Sequence, residues 1–167
     1  MNDTLIPIAL KVNGEAVEAT VEPRTHLIDF LRNHLSLTGS HAGCEHGVCG
    51  ACTVLIDGEI VRGCLALACQ QDGTEIWTVE GLTQSGTIAD LQQAFHQRNA
   101  LQCGYCTPGM LVCGKAIVEE HPDASREEIR EFMSGNYCRC TGYEAIVDAI
   151  EATAKDRKAG RGLGGQG

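Results

Sequence analysis

The segment CEHGVCGACTV, residues 44–54, packs three cysteines and three small residues, Gly47, Gly50 and Ala51, into eleven positions. Thiols this dense serve either as staples or as ligands. The chain holds ten cysteines in all. Its opening, MNDTLIPIALKVNG, lacks a basic stretch followed by a long apolar run, so no signal peptide is expected. No apolar run reaches the roughly 20 residues of a membrane span. The expectation is a mature cytoplasmic protein. Disulfides are rare in a reducing cytosol, so metal or cluster ligation leads.

Cys44, Cys49, Cys52 and Cys64 are spaced C-x4-C-x2-C-x11-C. The first three follow the plant-type [2Fe-2S] spacing. Two ferric ions, two sulfides and four thiolates sum to a formal charge of about −2. A buried anion of that size requires backbone N–H groups aimed at its sulfurs. Gly43, Gly47, Gly50 and Ala51 let the backbone wrap that closely. The alternative is zinc, but zinc sites favour cysteine pairs in two separated halves. The second set is Cys103 and Cys106 in QCGYC, with Cys138 and Cys140 in YCRC. Taken alone, C-x2-C with a distant C-x-C fits zinc, a redox-active pair or a cluster. Its context is helical, and helix N-termini favour negative charge.

The first half reads as α+β. Runs LIPIALKV and EAVEATVE flank Asn13-Gly14, and TVLI and EIVRG flank Asp57-Gly58, both strong hairpin signals. Leu27, Ile28, Leu31 and Leu35 fall at helical spacing after a candidate N-cap, Thr25. A short helix is expected in CLALAC and a last strand in TEIWTVE. The polar stretch 81–87, GLTQSGT, reads as a linker. Beyond it four segments have helical periodicity, one opened by an S-x-x-E capping box at Ser125 and Glu128. The division expected is 1–80, a linker at 81–87, a helical unit at 88–156, and a basic glycine-rich tail at 157–167.

Together, GCEHGVCGACTV, GCLALA, LQCGYCTPGM and GNYCRCTGY resemble the small iron–sulfur subunit of the molybdenum hydroxylases, the xanthine dehydrogenase and aldehyde oxidoreductase family. The resemblance covers roughly residues 5–155. It implies a β-grasp plant-type ferredoxin domain followed by an all-α four-helix domain, each with one [2Fe-2S] cluster. The ligands would be Cys44, Cys49, Cys52 and Cys64 in the first, and Cys103, Cys106, Cys138 and Cys140 in the second. It also implies a large molybdenum–pterin subunit and a medium FAD subunit, in a heterotrimer able to dimerise. Gln102 and Cys140 would lie near the pterin, although Gln102 could instead orient its own loop. Electrons would run from molybdenum through the helical-domain cluster, then the plant-type cluster, to FAD. The glycine-rich first loop is expected to approach a partner or solvent, with the second set embedded among helices.

Cys69 and Cys113 are left over at apolar positions and read as inert buried thiols. His41 and His46 read as surface or supporting residues beside the first loop, and Trp77 as a core or interface aromatic. The net charge of −9 argues against a nucleic-acid surface. No nucleophile–base or paired-carboxylate constellation stands out, so no substrate chemistry is expected on this chain. Two other classes compete: a zinc module that organises partners, and a free-standing ferredoxin or redox sensor. Iron and sulfide content separates the first, and co-purifying subunits the second.

Overall fold

The computed structural model describes residues 5–161. The end of the expected tail, residues 162–167, lies outside the described residues. Strands β1 (Ile6–Val12) and β2 (Glu15–Val21) form the first hairpin, and β3 (Thr53–Ile56) and β4 (Glu59–Arg62) the second. Asn13, Gly14, Asp57 and Gly58 all take the positive φ that tight hairpin turns require. β5 (Glu75–Trp77) then inserts between the hairpins, giving the order β2-β1-β5-β3-β4. β1 and β5 run parallel, and every other pair is antiparallel.

The central strands sort their side chains by alternation, the period-2 property of a strand. Val54 and Ile76 enter the core formed with Leu10, Leu27, Phe30 and Leu31. Their neighbours Leu55 and Trp77 face the opposite way, into the helical core. Full burial of a side chain such as Leu55 contributes about 1.5–3 kcal/mol, so the second face of the sheet is a binding surface for the helices.

The first helix is shorter than its periodicity predicts. α1 (Leu27–Asp29) is capped at His26 rather than Thr25, and runs into a π-helical turn, Phe30–His34. Thr25 is otherwise engaged, with its N–H on the Glu22 carbonyl and its own carbonyl accepting from Ala68 N–H. Only residues Ala68–Gln70 of the region around CLALAC are helical, as one 3-10 turn. Within the stretch expected as a linker, α2 (Val79–Gln84) is helical, and Leu82 is buried in the helical core.

The later helices are α3 (Ala89–Gln97), α4 (Thr107–Glu120), α5 (Arg126–Met133) and α6 (Glu144–Lys158). α5 begins with the expected Ser125–Glu128 capping box. α4 buries Met110 through Gly114 and Ala116 through Val118, which leaves little polar face. A helix apolar on nearly every side must be enclosed. α4 accordingly packs on β3, β4, α2, α3, α5 and α6. Arg157 of α6 grips Asp90 of α3 through Nε and Nη2, both at 2.7 Å. Among the described residues, no helix is long and apolar enough to cross a membrane.

Candidate metal centres

The first loop reaches from the end of the π-helical turn to β3. Glu45, Gly47 and Gly50 have positive φ there, which turns successive N–H groups toward the cysteines. Cys49 N–H donates to Cys44 Sγ at 3.4 Å. Cys52 and Cys64 meet across the second hairpin, buried with Ile28. The second set forms where the start of α4 meets the turn between α5 and α6. Cys140 Sγ lies 3.6 Å from Cys103 Sγ, while Cys106 and Cys138 are in hydrogen-bond contact.

Both sets are therefore built of pairs: Cys44 with Cys49, Cys52 with Cys64, Cys103 with Cys140, and Cys106 with Cys138. Among the described residues, no three His, Cys, Asp or Glu side chains converge as a single metal ion requires. Two thiolates for each of two irons is the donor arrangement of a [2Fe-2S] cluster. The local electrostatics favour one thiolate in each set. The Cys49 N–H, followed by that of His46, draws Cys44 down to about 6. At Cys138 burial raises the pKa, but the Thr141 hydroxyl and amide outweigh it and the net direction is down. Burial pushes Cys64 up to about 11 and Cys106 up to about 12, so these sulfurs keep their protons until a metal displaces them. Among the described residues, Ser40 Oγ, four positions before Cys44, and Thr107 Oγ1, directly after Cys106, are buried without a hydrogen-bond partner. A buried donor left unpaired next to a candidate ligand, as at Thr107, fits a sulfur-rich acceptor there.

The first loop reaches solvent as expected, with Gly43, Glu45, His46 and Val48 exposed, but the second set is not embedded among the helices. Cys103 and Cys140 are exposed, whereas Cys52 and Cys64 are buried. The helices hold the second set at their ends, so it opens outward. Leu101, Tyr105 and Tyr137 stand exposed around it. Gln102 donates from Nε2 to the Cys140 carbonyl at 2.9 Å, so it orients the loop of a candidate ligand. Tyr143 supports the same turn, its hydroxyl accepting from Cys138 N–H at 2.9 Å and donating to Asn136 O at 3.0 Å.

The remaining candidates have defined places. His41 stacks on Tyr105 with ring centroids 4.6 Å apart, and its Nδ1 is 2.8 Å from the Tyr105 carbonyl. His46 Nδ1 contacts the Cys44 carbonyl. Trp77 packs against the helical core, as expected of an interface aromatic. Cys69 sits in the 3-10 turn, its thiol toward the Pro23 carbonyl at 3.4 Å. Cys113 is buried but not isolated, for its thiol donates to Asn136 Oδ1 at 3.3 Å. Asn136 and Arg62 at this junction are missed by sequence reasoning. Asn136 stands two positions before Cys138, and that adjacency is the one available signal.

A ferredoxin-type sheet unit followed by a helical unit, each presenting four cysteines, defines a class of protein with two iron–sulfur domains. Residues 10–75 match the 2Fe-2S iron-sulfur cluster binding domain family, and residues 78–151 the [2Fe-2S] binding domain family. The chain is 55% identical over 150 residues to the caffeine dehydrogenase subunit gamma of Pseudomonas sp. (strain CBB1), covering 88% of this chain and 90% of that one. It is 50% identical to the nicotine 6-hydroxylase small subunit of Paenarthrobacter nicotinovorans, covering 87% of each. Its fold matches a chain of quinoline 2-oxidoreductase from Pseudomonas putida 86 with a TM-score of 0.88 and 52% identity, over 95% of this chain and 98% of that one. The chain belongs to the small iron–sulfur subunits of the molybdenum hydroxylase (xanthine dehydrogenase) family.

Proposed function

We propose that this chain is the electron-transfer subunit of a molybdenum-containing hydroxylase or dehydrogenase complex. The observation that carries the reading is the gathering of eight cysteines into two sets of two pairs, in a chain with two [2Fe-2S]-binding domains. Cys44, Cys49, Cys52 and Cys64 would hold one cluster, and Cys103, Cys106, Cys138 and Cys140 the other. Each cluster, when bound, accepts and releases one electron, and the protein sets spacing and potential. The first loop supplies inward N–H groups that stabilise negative charge. Buried Cys52 and Cys64 shield one side of that site from water, which strengthens those interactions.

The two units of this reading are a β-grasp ferredoxin domain at 1–80 and a four-helix domain at 88–156, joined through the 81–87 stretch. The exposed side of the second set, with Gln102 and Cys140 at its surface, supports docking against a molybdenum–pterin subunit. The first set would then face a medium FAD subunit, in a cytoplasmic heterotrimer able to dimerise. Relatives named for caffeine, nicotine and quinoline support an N-heteroaromatic substrate, bound on a partner chain.

Electron paramagnetic resonance (EPR) of the reduced complex tests the ligand assignment. Cys49→Ser is expected to abolish or alter one [2Fe-2S] signal and Cys138→Ser the other, with four irons per chain in the parent. Loss of both signals from either substitution, in a chain still folded and assembled, would refute two independent sets.

A further inference from the structure

Asn136 is a polar side chain only 2% exposed, at the junction of the two cysteine sets. Its Nδ2 donates to the Gly50 carbonyl at 3.3 Å, and its Oδ1 accepts from Cys113. Arg62 closes the other side. Its Nη1 donates to Thr53 Oγ1 and lies 3.9 Å from Cys113 Sγ, while Nη2 donates to the Gly135 carbonyl at 2.7 Å. The junction is tight as well as bonded. A Cβ on Gly50 would meet Asn136 Cγ at 2.6 Å, and one on Gly109 would meet the Gly50 carbonyl oxygen at 2.3 Å. The Gly50 peptide therefore has no slack.

One hydrogen bond across this junction joins the two sets almost directly. Tyr137 N–H donates to the Cys49 carbonyl at 2.8 Å. Cys49 belongs to the first set, and Tyr137 is covalently bonded to Cys138 of the second. A path from Cys49 Sγ to Cys138 Sγ thus follows covalent bonds with a single hydrogen bond between them. Another bridge, Tyr105 hydroxyl to the Ala42 carbonyl with His41 stacked on the ring, is exposed, and its anchor on the first loop is not a ligand.

We propose that Asn136 is a positioning residue that holds the Cys49–Tyr137 hydrogen bond, and that this bond couples the two metal centres. The inference rests on the ligand assignment above. Asn136 is bonded to Tyr137, which supplies the donor, and it clamps the carbonyl of Gly50, the residue after Cys49. Arg62 and Cys113 keep the asparagine amide in register. The transfer moves one electron from the reduced centre to the oxidised one, with no bond broken and no proton exchanged. Removing the side chain need not empty the sites, because the Gly50 carbonyl retains Thr53 N–H at 3.2 Å and Thr53 Oγ1 at 2.6 Å.

The test uses the assembled complex with the parent chain, Asn136→Ala and Cys113→Ala. EPR with both centres reduced reads their spin–spin splitting, and freeze-quenched samples read the rate of electron exchange between them. In Asn136→Ala both signals are expected at full iron content with unchanged g values, the splitting reduced and the exchange slowed by about tenfold, below the ~100-fold that a 1 Å misplacement can cost. Cys113→Ala is expected to show the same changes in smaller degree, because Asn136 loses one of its two anchors. Amide hydrogen exchange at Tyr137 should quicken in both. Full signals with unchanged splitting and rate would overturn the positioning role. Loss of both clusters in both variants would overturn it too, in favour of a folding role. A parent with fewer than two signals would overturn the ligand assignment and this proposal with it.

Discussion

Gly109→Ala sets two opposed effects against each other. Gly109 lies in the first turn of α4, where alanine would gain at most about 1 kcal/mol of helix propensity. The new Cβ would stand 2.3 Å from the Gly50 carbonyl oxygen. That is about 1 Å short of ordinary carbon–oxygen contact. The obstacle is backbone, so no side chain can rotate away. Either α4 or the first cysteine loop must retreat. Overpacking of this kind costs about 1–3 kcal/mol. Retreat also breaks the Asn136–Gly50 hydrogen bond, worth about 0.5–1.5 kcal/mol. The cost wins, and a net loss of about 1–3 kcal/mol is expected. For a chain of this size that lowers the unfolding midpoint by about 3–10 °C. Thermal unfolding of the loaded protein, followed by far-ultraviolet circular dichroism and by bleaching of the visible cluster bands, measures it. The bleaching should begin first, because the clash falls on the cluster loop. A midpoint equal to or above the parent's would refute the reasoning.

Gln102→Ala removes the hydrogen bond to the Cys140 carbonyl and leaves every thiol in place. Full iron content is expected, with slower reduction of the second-set cluster by substrate in the complex; unchanged kinetics and cofactor content would contradict a role at the partner surface. At Asp90 burial raises the pKa, but the Arg157 hydrogen bonds and charge prevail and hold the carboxyl below its usual value. Glu144 is drawn to about 2 by Arg130 and then Arg126. Both folded pKa values lie below the unfolded ones, so this stability is fully present above about pH 4–5 and is lost as pH falls through the folded values. Asp90→Asn should flatten the fall in the denaturation midpoint between about pH 5 and pH 3. A parent and variant with parallel pH profiles would contradict the assignment.

Local chemistry made much of this protein legible from its sequence. Asn13-Gly14 and Asp57-Gly58 turn because those residues accept positive φ, and Ser125 with Glu128 caps a helix through bonds spanning four residues. The cysteine spacings point to two ligand sets because a loop of fixed length limits which thiols can meet. Other features depended on distant partners. Thr25 fails as a cap because its backbone is committed to Glu22 and Ala68, and residues 79–84 become helical because Leu82 finds the helical core. Exposure of the second set reversed the expectation, since helices that place cysteines at their ends leave the sulfurs at the surface. The pairing of thiols within each set, and the Asn136, Cys113 and Arg62 junction between the sets, join residues up to 86 positions apart. Spacing can nominate ligands, but only the packing of α4 against β3 and the first loop decides which sulfurs pair and how closely the two sets approach. That contact is a long-range sum of burial and backbone fit, and no short stretch of sequence contains it.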